Sequence, residues 1–102
     1  MSNYTPDLWE ILELKFNDSQ EITRKIMASW YGGYLDGDSW RLSSGITEII
    51  DKETYYEIHN ESGSVYHCNK NSRGMSGYTT GVFDRLITEI ENRGSVKIVN
   101  DL

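Results

Sequence analysis

Trp30-Tyr31-Gly32-Gly33-Tyr34-Leu35-Asp36-Gly37-Asp38-Ser39-Trp40-Arg41 places four aromatics and two carboxylates around three glycines. Glycine and aspartate supply turn geometry, so residues 32–38 read as the turn of a β-hairpin. Glu21 to Tyr31 is its outgoing strand, with Ile22, Ile26, Ala28 and Trp30 on one parity. Trp40 to Ile50 is the return strand, and Gly45 within it predicts a bulge or a close backbone approach.

Upstream, Leu8, Leu12, Leu14 and Phe16 share one parity while Trp9 and Ile11 take the other, which predicts a strand. Helical spacing of Leu8, Ile11, Leu12 and Lys15 is the rival reading, but the turn formers Asn17-Asp18-Ser19 favour a hairpin into the next strand. Downstream, residues 54–59 and 64–68 form a second hairpin, with Gly63 at a left-handed loop position. Residues 69–77 read as a loop. Tyr78 to Arg93 reads as a helix with the apolar stripe Val82, Phe83, Leu86, Ile87 and Ile90. Ser76 or Thr79 is its N-terminal cap, and Gly94 is placed for a left-handed C-terminal residue. A short strand over 95–99 follows. The expected fold is α+β: one antiparallel sheet of five to six strands, containing the two hairpins, with the C-terminal helix on one face.

The 102 residues suffice for one domain, and three Trp and seven Tyr compensate for a hydrophobic content of only 37%. A net charge of −6 repels phosphate backbones, so direct nucleic-acid binding is not expected. The same charge suits a basic protein surface. With one cysteine, Cys68, no intrachain disulfide forms. The N-terminus has no charged and apolar leader, and the apolar runs are short, so a cytoplasmic protein is expected.

Motifs with specific chemistry are few. A calcium loop counted from Asp36 needs Glu at its twelfth position, where Thr47 stands. His59, His67 and Cys68 lack the spacing of a zinc site, and no nucleophile, base and orienting group stand in a catalytic pattern. Neither a metal nor a cofactor is expected. Two candidate surfaces remain. The hairpin tip, Tyr31, Tyr34, Leu35, Asp36 and Asp38, is a candidate protein contact. The second draws on the absence of any acidic residue between Glu61 and Asp84. There Tyr66, His67, Lys70, Arg73, Ser76 and Thr79 lead into a helix N-terminus that suits an anion. Together with Trp40, Arg41 and Ser43 they form a candidate ligand site, provided that the two segments meet. The bland alternative is a packed hairpin and a polar loop that caps the helix.

The string Ser29 to Ile46, with Ser62-Gly63-Ser64-Val65-Tyr66-His67-Cys68, resembles small accessory proteins of phages and prophages across the middle half of the chain. The resemblance assigns no residue a role; it implies context. Such proteins often antagonise bacterial defence, some by blocking CRISPR effectors and others by sequestering a nucleotide signal. The leading expectation is thus a non-enzymatic inhibitor in the host cell whose tip enters a basic, nucleic-acid-binding groove of a defence protein. The alternative is a binder or sponge for a small anionic ligand such as a cyclic nucleotide. A homodimer through an edge strand is compatible with either.

Overall fold

The structure, a computed structural model, describes residues 2–32 and 37–100. Nine elements follow along these residues: β1 (Asn3–Tyr4), β2 (Leu8–Phe16), β3 (Ile22–Trp30), β4 (Ser39–Leu42), β5 (Ile46–Asp51), β6 (Tyr55–Asn60), β7 (Val65–Asn69), α1 (Gly77–Ile90) and β8 (Gly94–Val99). The α+β class matches expectation. The sheet layout does not: the strands form two four-stranded sheets, ordered β1-β7-β6-β5 and β4-β3-β2-β8.

Strand β2 explains the layering. It pairs antiparallel with β3 on one side, Leu8 opposite Ser29 through Lys15 opposite Ile22, and with β8 on the other. Side chains alternate across a strand. Trp9 and Ile11 therefore face the other sheet, where they pack with Ile26, Ala28, Ile58, Tyr66, Cys68 and Val99. Leu12 and Leu14 face α1 and join Met27, Val82, Phe83 and Leu86. A central strand covered on both faces has little need of polar alternation, which is why its sequence also fitted a helical spacing.

The expected return strand over 40–50 divides between the sheets. Its first part, β4, pairs with β3, and its second, β5, pairs with β6. The corner is built from Ser43, Ser44 and Gly45. Ser43 N–H donates to the Ile26 carbonyl at 2.9 Å. Its hydroxyl accepts from Ile26 N–H at 2.8 Å, standing in for the next ladder bond. Two residues later the Gly45 carbonyl accepts from Glu61 N–H at 2.8 Å, in the other sheet. This bond is the close backbone approach, and a Cβ on Gly45 would in addition lie 2.7 Å from the Glu61 side-chain oxygen Oε1. The register of β5 against β6 also shifts between Ile46 and Glu48.

Ser76 caps α1, accepting from Thr79 N–H at 3.1 Å. Gly94 is not a left-handed cap. It opens β8 opposite Phe16, where a Cβ would collide with the Lys15 carbonyl oxygen. Gly63 does hold a left-handed φ of 89° in the β6–β7 turn. Strand β1 was not anticipated: it pairs parallel with β7, Asn3 opposite Val65 and Tyr4 opposite Tyr66. No helix among the described residues is long and apolar enough to cross a membrane.

Candidate functional site

The sheet-switching corner and the β6–β7 turn lie side by side, and β1 closes the gap between them. Ser2, Tyr4, Arg41, Leu42, Ser43, Ser44, Ser62, Ser64 and Tyr66 line the resulting cavity of about 390 Å³. Strand parity dictates who enters. Arg41 lies opposite Ala28, on the face of β4 turned toward the other sheet, while Trp40 and Leu42 turn toward α1. Tyr66 is fully buried and stacks on Tyr4, ring centroids 4.8 Å apart. The Arg41 guanidinium lies over the Tyr4 ring, 4.9 Å from its centroid. Burial pushes the Tyr66 hydroxyl above the ordinary tyrosine range, against the opposing pull of Arg41. Arg41 enters no ion pair among the described residues.

Hydroxyls fill much of the rest of the wall. Ser44 Oγ donates to Ser62 Oγ at 3.0 Å and accepts from Ser62 N–H at 3.1 Å. Ser62 Oγ and Ser64 Oγ share a contact of 3.1 Å. Asn60 Nδ2 donates to Ser64 Oγ at 3.3 Å, so that oxygen is supplied from below. The cavity thus offers one fixed cation, a relay of hydroxyls and two ring edges.

The candidate ligand residues separate into distinct places. Arg41, Ser43 and Tyr66 come together in this cavity. Trp40 stands on the opposite face of β4, 40% exposed beside Met27, Val82 and Leu86. His67 lies against Tyr55 on the outer face of its sheet, ring centroids 5.5 Å apart, in a hollow shared with Asn3 and Thr5. Lys70 pairs with Asp51 at 2.6 Å and covers the Tyr56 ring. Arg73 is engaged three ways: to Glu10 Oε1 at 3.0 Å, to the Val99 carbonyl at 2.6 Å, and over the Trp9 ring at 4.5 Å. Ser76 and Thr79 are buried in their own cap, the Ser76 hydroxyl donating to Thr79 Oγ1 at 2.9 Å. The helix N-terminus is thereby closed by its own side chains.

Of the candidate protein contacts, Tyr34, Leu35 and Asp36 lie outside the described residues. Tyr31 is 58% exposed, and its N–H donates to Asp7 Oδ2 at 2.8 Å. Asp38 is exposed at the entry to β4.

The chain matches no protein-family model, no curated protein and no solved structure. The site therefore rests on its own geometry. Cys68 is fully buried, and burial pushes its thiol up to about 12, far from a nucleophilic thiolate at neutral pH. Among the described residues no three of His, Cys, Asp and Glu converge on a metal position. A larger hollow of about 530 Å³ lies where the β2–β3 turn meets the α1–β8 turn, lined by Phe16, Asn17, Asp18, Ser19, Asn92 and Arg93. It also holds the Asp18 carboxylate beside Arg93, which disfavours an anion there. Reading the residues in order overlooked Ser2, Tyr4 and Ser44 altogether, and gave Ser62 and Ser64 no place beside Arg41. The alternation Ser62, Ser64, Tyr66 was the available signal, since it puts all three on one face of a hairpin.

Proposed function

We propose that this protein binds a small anionic ligand, a nucleotide being the leading candidate class, in the cavity around Arg41, and that it does so without chemistry. The observation that carries this reading is a guanidinium, in no ion pair among the described residues, facing a hydroxyl-lined cavity. Its volume of about 390 Å³ falls in the range of small-molecule sites. The two strings that carry the phage resemblance, Ser29 to Ile46 and Ser62 to Cys68, each contribute to its wall, the first through residues 41–44 and the second through Ser62, Ser64 and Tyr66. Arginine is well suited to an oxoanion because its planar fork meets two oxygens at once. Lys70 and Arg73 are spent on internal partners and are not needed.

The test is a thermal-shift titration of wild type and Arg41→Ala with linear and cyclic nucleotides. A ligand at 100 times its Kd adds about 2.7 kcal/mol, enough for a clear rise in Tm. The expected result is a rise for wild type with at least one anion and none for the variant. No rise with any of them overturns the reading.

A second reading keeps the hairpin tip as a contact for a bacterial defence protein in the host cell. It is favoured by Tyr31 and Asp38, both exposed and next in sequence to the paired Trp30 and Ser39, in a chain of net charge −6. Acidic and aromatic groups at one tip suit a basic groove. Here Tyr31→Ala with Asp38→Lys would weaken a salt-sensitive complex with the captured protein. Unchanged affinity in that double variant would remove the reading.

A further inference from the structure

The ligand's charge and its recognised part follow from counting donors and charges in the Arg41 cavity, an argument that rests on the small-ligand reading. Ser62 and Ser64 carry one hydroxyl proton each and share a single contact of 3.1 Å. Ser44 already donates into Ser62, and Ser64 accepts from Asn60 Nδ2. Whichever hydroxyl donates across the shared contact, one proton of the pair is left without an acceptor among the described residues. Both hydroxyls line the cavity, as Arg41 does. A spare hydroxyl proton and the guanidinium N–H groups of Arg41 not turned to Tyr66 thus face one space, and what answers them is an acceptor-only group.

The charge count is equally specific. Among the described residues that line the cavity, Arg41 is the one cation. The neighbouring Glu61 carboxylate packs over Gly45 at the corner, and the chain as a whole carries −6. One negative charge on the ligand is compensated there. A second has no cation among these residues to answer it and is repelled by the surrounding charge. Stacking on a base, meanwhile, finds little free ring surface, since the Tyr4 ring already carries Tyr66 and the Arg41 guanidinium. Tyr66 is 1% exposed, which leaves neither ring face free, and Trp40 is on the far side of β4.

We infer that the cavity takes a small organic monoanion, a phosphodiester or a carboxylate, gripped by its oxoanion between Arg41 and the Ser62–Ser64 pair, with no selection for the base or ring attached to it.

Isothermal titration of the full chain at pH 8 tests this with five ligands. Cyclic AMP and cyclic CMP are monoanionic phosphodiesters with different bases, and glucuronate is a monoanionic carboxylate. 5′-AMP is mostly dianionic at that pH, and adenosine is neutral. At least one of the two monoanion chemistries is expected to bind, which also identifies the source. If it is the phosphodiester, cyclic AMP and cyclic CMP agree within about threefold. 5′-AMP binds at least roughly tenfold more weakly than the best monoanion, and adenosine does not bind. Arg41→Ala abolishes binding, and Ser62→Ala with Ser64→Ala weakens it by roughly fivefold or more. Circular dichroism of each variant confirms an unchanged fold. Tighter binding of 5′-AMP, or a strong preference between the two bases, overturns this inference while leaving an anion site at Arg41. Absence of binding by every anion overturns the underlying reading as well.

Discussion

Arg41 and Arg73 show how the same side chain serves two ends. Arg73 reaches Glu10, which is 8% exposed, and also donates to the carbonyl of Val99, the last residue of β8. Its loop runs alongside β2, with Trp9 N–H donating to Ser72 and Gly74 N–H donating back to the Trp9 carbonyl. Removing Arg73 leaves a buried carboxylate and a carbonyl unpaired, which costs far more than losing an exposed charge. Arg73→Ala is expected to destabilise the fold by about 3 kcal/mol in urea denaturation. Arg41 is exposed and in no ion pair among the described residues, so Arg41→Ala should change stability by less than about 0.5 kcal/mol. A large loss at Arg41 would mean that its stacking on Tyr4 is structural.

Helix α1 depends on its first turn. That turn contains no acidic residue, so the dipole receives no help from carboxylates and the Ser76 side chain is the cap. Ser76 is 3% exposed and joined to Thr79 by both its accepted and its donated bond. Ser76→Ala is expected to cost about 1–2 kcal/mol, read as a lower urea midpoint with unchanged slope. Ser76→Asp should recover part of it by accepting from the same N–H. The helix was legible because its stripe Val82, Phe83, Leu86 recurs at helical spacing and packs on one sheet face. The corner between β4 and β5 was not legible as a change of sheet. Residues 40–50 alternate well enough for one strand, and only the contacts of Ser43 with Ile26 and of Gly45 with Glu61 divide it.

Across the whole molecule, ion pairs link segments distant in sequence. Glu13 is held below the usual carboxylate range by Lys97 and Arg24, Glu57 by His59, and Asp51 by Lys70 and the Glu53 N–H. A depressed carboxyl contributes stability above its unfolded pKa and loses it as pH falls through the folded value. Lys70 is raised, chiefly by Asp51, so its contribution is full below the ordinary lysine value and fades as pH rises through the folded one. The Asp51–Lys70 bond joins the end of β5 to the segment after β7 and shapes both limbs of the profile. Asp51→Asn is expected to flatten the fall of Tm below the carboxylate range and the fall at alkaline pH. Added salt should shrink the difference from wild type, because the pair is at the surface. An unchanged alkaline limb would show that Lys70 gains nothing from Asp51.

By itself the sequence determined most of the elements: two hairpins, the C-terminal helix and the final strand. Each is set by local pattern, as turn residues, period-two alternation or a helical stripe. The tertiary structure decided how they are shared between layers and which polar residues meet. Serines in two separate turns and a tyrosine near the N-terminus carry no mark of proximity, because pairing across sheets is a long-range property. The hairpin around Trp30 to Arg41 appeared to be one feature. In the fold it contributes Trp40 to the helix-facing layer and Arg41 to the cavity, because neighbours along a strand point to opposite faces.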